Sequence, residues 1–99
     1  MQRAEIIERL KSTEPALRAR GVSGLYLFGS YSRGEQRPDS DVDVFVDKTP
    51  GQRFGFDELM GSYRAVATVL PGFEISFGTR DGLSKYIRPD VEREAIRIF

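Results

Sequence analysis

The 99-residue chain contains neither cysteine nor histidine. Without thiols it has no disulfide, no thiolate nucleophile and no zinc finger, and without imidazole it lacks the commonest general base and metal ligand. Its chemistry therefore has to run on carboxylates, hydroxyls, lysine or arginine. An excess of one charge is missing too, because 15 Lys plus Arg balance 15 Asp plus Glu. The molecule as a whole offers no positive field to a polyanion, which argues against a nucleic-acid partner. No apolar run approaches the ~18–20 residues that span a bilayer. The opening Met1-Gln2-Arg3-Ala4-Glu5 reads as the start of an amphipathic helix rather than a secretory leader, so a cytoplasmic protein without membrane contact is expected. At this length folding buries roughly 60–68% of the unfolded surface around one core, and residues 1–99 are read as a single domain.

What is present is patterned. Ile6, Ile7, Leu10 and Leu17 keep a helical period from residue 2 to about 20, ending at Gly21. Pro15 interrupts it, which predicts a break near Ser12-Thr13, with either hydroxyl available to cap a second helical piece. Leu25-Tyr26-Leu27-Phe28 reads as a buried strand closed by Gly29. Residues 31–40 suit a short helical turn and a tight loop at Pro38-Asp39-Ser40. A second strand, 41–47, alternates Val42, Val44 and Val46 with Asp41, Asp43, Phe45 and Asp47. Phe56, Leu59, Met60, Tyr63, Val66, Ala67 and Leu70 recur at helical spacing and are read as one core stripe, ended by Pro71-Gly72. Phe73 to Phe77 predicts a third strand with Glu74 and Ser76 on its polar side. A short helix is expected after Thr79, and a last one from Pro89 with Val91, Ala95 and Ile98 inward.

In the second and third strands the apolar set defines the covered face and leaves the carboxylates on the other. Asp41, Asp43 and Glu74 are therefore expected on one surface. Residues i and i+2 lie about 6.6–6.8 Å apart along a strand, and neighbouring strands about 4.8 Å apart. Carboxylates at such separations repel one another, and a cation relieves this. An all-oxygen ligand set favours Mg²⁺ or Mn²⁺, and Mg²⁺ characteristically binds one or two carboxylates plus substrate phosphates. Gly29-Ser30, at a strand end leading into a helical turn, supplies a phosphate-binding turn: glycine admits close backbone approach, and the Ser30 hydroxyl and turn amides donate to phosphate oxygens. Between them lie Arg33, which serves either a ligand or a neighbouring carboxylate, and Ser40, which binds a ligand or caps a turn.

Gly29-Ser30, ten residues, then Asp41-x-Asp43, with Arg33-Gly34 and Ser40 in the interval, resembles the signature of the polymerase-β-like nucleotidyltransferase superfamily. The nearer resemblance is to its minimal, single-domain antitoxin branch. That resemblance implies an α/β (α+β) nucleotidyltransferase fold, a small mixed or antiparallel sheet of three to four strands covered by helices on one face. It implies that Gly29, Ser30, Arg33 and Ser40 hold a nucleotide, and that Asp41, Asp43 and Glu74 are catalytic and ligate metal. Glu74 stands where the family usually has aspartate. The implied reaction is transfer of an adenylyl group from ATP, with two Mg²⁺ ions, to a hydroxyl of a HEPN-domain toxin, a tyrosine in some members. Two other readings stand beside it: an antitoxin that masks its partner by binding alone, and a transferase for a small hydroxylated molecule such as an antibiotic.

Overall fold

The structure, a computed structural model, describes all 99 residues. Two helices lead, α1 (Arg3–Lys11) and α2 (Glu14–Ala19), followed by β1 (Val22–Phe28) and the one-turn α3 (Ser30–Arg33). Then come β2 (Val42–Lys48), α4 (Phe56–Val69), β3 (Ile75–Thr79), a 3₁₀ turn (Arg80–Gly82), α5 (Arg88–Glu94) and β4 (Ile96–Arg97). The four strands form one sheet in the order β3-β2-β1-β4, with β1 antiparallel to both β2 and β4 and β2 parallel to β3. The sheet is thus mixed, one of the two arrangements that the resemblance implied.

The predicted break falls at Ser12-Thr13, with Pro15 in the first turn of α2, where a missing N–H costs nothing. The hydroxyls do not cap α2. Thr13 Oγ1 instead donates to the Leu10 carbonyl at 2.6 Å, and Ser12 Oγ donates to the Arg9 carbonyl, so both close the end of α1. Gly21, at φ +95°, turns the chain into β1. From β1 and β2, Leu25, Leu27, Val42, Val44 and Val46 point to the same side and meet Ile6, Leu10, Leu17, Val66, Leu70 and Ile98 in one buried cluster. Each such aliphatic side chain contributes about 1.5–3 kcal/mol through its removal from water.

Three expectations need correction. Residues 95–98 are not helical: Ile96 pairs with Leu27, and Ile98 N–H donates to the Leu25 carbonyl at 2.8 Å, so the segment is an edge strand. The pattern Ile96, Ile98 against Arg97, Phe99 has period two, and its length is too short to separate that from a helical turn. The third strand begins at Ile75 rather than Phe73, which leaves Glu74 just ahead of it. Finally, the apolar stripe of α4 is not core along its whole length. Val66 and Leu70 are buried with Ser62 beside them, while Phe56, Leu59, Met60 and Tyr63, in the first two turns, are partly or largely exposed.

The sheet's other face is not uniformly polar either. Phe45 is fully buried there, stacked on Tyr26 at 4.8 Å and tilted against Phe28 at 5.7 Å. The guanidinium of Arg80 covers both Tyr26 and Phe45 at 4.9 Å. It also grips Asp47 through two bonds of 2.7 and 2.9 Å and pairs with Glu92 of α5.

Candidate functional site

At the end of β1 the chain must leave the sheet and start a helix within one residue. Gly29 does this at φ +74°, ψ −153°, a conformation essentially restricted to glycine. A β-carbon at that position would overlap Asp43 Oδ2 and stand 3.0 Å from its carboxyl carbon. The turn is therefore pressed against the Asp43 carboxylate, and this contact joins the two halves of the Gly-Ser and Asp-x-Asp pattern in space. Ser30 opens α3, whose first amides have no intrahelical acceptor. The turn is held from behind by Ser32, whose Oγ donates to the Gly29 carbonyl at 2.8 Å.

Asp43 lies in β2 opposite Phe28 and is half-buried, while Asp41 is exposed in the extended step leading into the strand. Burial is the main cause that raises the Asp43 pKa above its ordinary value, the negative charge of Asp41 adds to it, and Arg33 partly offsets it. The proton-bound, neutral form of Asp43 is thus the one the fold favours. Its contribution to stability is complete below the unfolded-state pKa, about 3.9 for an ordinary aspartate, and is lost as pH rises through the higher folded-state value. Asp43→Asn is therefore expected to melt above the parent at neutral pH, with the difference closing on acidification below the carboxylate range. A melting-temperature series against pH for the two proteins checks this; a constant difference would contradict it.

Glu74 is exposed, and its carbonyl accepts from Val42 N–H at 2.9 Å. The β2–β3 register pairs Val42 with Ile75 and Asp43 with Ser76, and one further step puts Asp41 level with Glu74. Strand alternation carried along this register assigns the three carboxylates to one face, but no three acidic side chains stand close enough to hold one ion together. The close pair is Asp41 and Asp43; Ser76 is the residue in register with Asp43.

The remaining residues singled out from sequence are placed as follows. Arg33 is exposed and bonds Glu35 as well as Glu94 of α5 at 3.1 Å, contacts that raise its pKa further and tie α5 to α3. Ser40 closes the turn before β2, its Oγ accepting from Arg37 N–H at 2.7 Å. Both have local partners in this structure. Sequence reasoning missed Arg80, which organises the same face; an arginine directly after an edge strand, in reach of the last aspartate of the neighbouring strand, was the available signal.

The donor set suits a hard divalent ion. Asp41 and Asp43 offer only carboxylate oxygen, the chain has no histidine or cysteine, and the acidic pair lacks a nearby cation other than Arg33. A Gly-Ser turn pressed against paired carboxylates at one end of a mixed sheet is the arrangement the structure presents. The chain belongs to the nucleotidyltransferase domain family, whose pattern it matches over residues 3–98.

Its relatives narrow the kind. The chain is 31% identical to the protein adenylyltransferase MntA of Thermococcus cleftensis, covering 95% of this chain and 93% of that protein. It is 28% identical to a Methanocaldococcus jannaschii protein provisionally named a protein adenylyltransferase, covering 96% of each. Among solved structures, one provisionally named a minimal nucleotidyltransferase superposes with a TM-score of 0.80 at 28% identity, covering 97% of this chain and 95% of that one. Two more distant matches share the fold. A toxin–antitoxin structure with AMP-PNP has a TM-score of 0.66 at 21% identity, covering all of this chain and 73% of that one. A complex of tri-AMPylated Shewanella oneidensis HEPN toxin with MNT antitoxin has 0.61 at 17%, covering 94% and 71%.

Proposed function

We propose that this chain is an ATP- and Mg²⁺-dependent protein adenylyltransferase that modifies a hydroxyl, a tyrosine's, on a HEPN-domain toxin and so acts as its antitoxin. The observation that carries the reading is the contact between the Gly29 turn and the Asp43 carboxylate, with Asp41 beside it. Phosphates held at Ser30 and the first amides of α3 would lie directly against the acidic pair, a juxtaposition of like charges that cations between them relieve. The relatives named as protein adenylyltransferases and the likeness to toxin–antitoxin complexes support the choice of acceptor.

In the proposed reaction the acceptor oxygen attacks the α-phosphorus of ATP, forming a new O–P bond. The bond from that phosphorus to the bridging oxygen breaks, and pyrophosphate leaves with the electron pair. Gly29 and Ser30 fix the phosphates, and Asp41 and Asp43 hold the ions, whose charge offsets that of the phosphates. The acceptor's proton passes to water over the exposed side of Asp41 and Glu74. No covalent enzyme intermediate is required, in keeping with a chain that has no cysteine or histidine.

Binding alone, without transfer, is the second reading, and the position of Glu74 outside the close pair favours it. Only the transfer reading needs a nucleotide site, which makes a binding test informative. Mg²⁺ and ATP together are expected to raise the melting temperature, by about 2.7 kcal/mol of stabilisation at one hundred times the dissociation constant. Either alone should do less, and a chelator should reverse the gain. An unchanged melting temperature at saturating Mg-ATP would remove the nucleotide site from the account.

A further inference from the structure

The apolar stripe of helix α4 runs beyond the part buried in the core. Ahead of Val66 and Leu70, Phe56, Leu59, Met60 and Tyr63 recur at i, i+3, i+4 and i+7 and form a partly exposed row along the first two turns. Phe56 is 73% exposed. The other three, with Phe77 of β3, line an open hollow of about 360 Å³ that contains no charged side chain. Tyr63 meets the Phe77 ring edge-to-face at 6.2 Å, which fixes the floor of the hollow. The hollow adjoins β3, an end strand of the sheet. The sequence of β3, Ile-Ser-Phe-Gly-Thr, carries no charge and no proline, so this edge lacks the usual guards against pairing. A β-carbon at Gly78 would meet nothing within 4 Å, as expected of an uncovered edge. Asp57 and Arg64 flank the row, both exposed, and neither has an ionic partner, whereas Glu58 on the same helix is paired with Arg53.

We propose that this face joins two copies of the chain about a two-fold axis normal to the sheet. One rotation sets β3 antiparallel to the second copy's β3, extending the sheet across the axis. The same rotation lays the two α4 helices antiparallel and closes each hollow with the other copy's row. With the axis crossing the helix between Met60 and Gly61, one residue from the row's own midpoint between Leu59 and Met60, it also brings Asp57 beside the partner's Arg64 and Arg64 beside the partner's Asp57, because these two residues are equidistant from that crossing point. That self-complementary charge pattern is what selects a second copy over an unrelated helix. The acidic pair stays open, since Asp43 and Phe77 belong to opposite faces: Asp43 is in register with Ser76, and Phe77 with the buried Val44. The row and strand are short, so the buried area falls near the ~1,200 Å² lower bound for specific interfaces, and the dimer is a weak one.

Sedimentation equilibrium of the full chain across a concentration series tests this. The parent should show a monomer–dimer equilibrium. Asp57→Lys and Arg64→Glu should each weaken it about ten-fold by setting like charges opposite one another, and the double reversal should restore it. Met60→Glu should give a monomer whose circular dichroism and Mg-ATP response match the parent's, which separates failure of this proposal from failure of the nucleotide site. A parent that stays monomeric at every concentration overturns the proposal, including one that uses the face only for a different protein. So does a dimer indifferent to the single reversals, or a double reversal as weak as either single one.

Discussion

Replacing Asp41 and Asp43 together by asparagine is expected to reduce adenylyl transfer by roughly 10³-fold or more, about 4 kcal/mol of transition-state stabilisation. The fold should survive. Neither side chain belongs to the buried cluster, and the neutral form of Asp43 is the one its half-buried position favours. The double variant should therefore melt at or above the parent's temperature at neutral pH while losing turnover, a combination that a general folding defect cannot produce. Initial rates with labelled ATP, alongside a circular dichroism melt, give both readouts. A variant that transfers within ten-fold of the parent would remove the acidic pair from the chemistry.

Gly29→Ala should have the largest effect on stability of any single-methyl change in the chain. Two costs combine at this position: a conformation reserved for glycine, worth about 1–3 kcal/mol, and overlap of the new carbon with the Asp43 carboxylate. A total loss of about 2–4 kcal/mol follows, and each kcal/mol lowers the melting temperature of a domain this size by roughly 4–8 °C. The two costs separate in a double-mutant cycle. In an Asp43→Ala background the overlap disappears, so Gly29→Ala should then cost only the backbone share. Equal cost in both backgrounds would show that the turn does not press on the carboxylate.

Much of this architecture was legible in the chain because its short-range signals were strong. Val42, Val44 and Val46 alternate without exception, which assigned both the strand and its buried face, and Pro15 placed the helix break within a residue. The failures have physical causes. Ile96 to Phe99 is too short for periodicity to decide, and its strand character comes from the hydrogen bonds that Leu25 and Leu27 offer across the sheet. Spacing joined Phe56, Leu59, Met60 and Tyr63 to Val66 and Leu70, and at 100° per residue they do share one arc of the helix; periodicity does not carry the fact that only the later part of that stripe lies against the core. For the candidate site, the adjacency of Gly29 and Asp43 follows from an antiparallel register that pairs Phe28 with Asp43, and a sequence motif implies it without explaining it. Glu74 was assigned to a strand that begins one residue later. Arg80 escaped because its partners, Asp47, Glu92, Tyr26 and Phe45, are scattered through the chain and are collected only by the fold.

The central claim is group transfer from ATP to a protein acceptor, and the position of the label in ATP tests it most directly. The chain is incubated with the HEPN-domain protein proposed as its partner, Mg²⁺ and ATP labelled in either the α- or the γ-phosphate, and that protein is then separated and counted. Attack at the α-phosphorus predicts that the α label becomes covalently attached to the partner and the γ label leaves as pyrophosphate. The α label should not attach when Mg²⁺ is chelated. A partner that is neutralised yet carries neither label would contradict the enzyme reading and leave an antitoxin that works by binding.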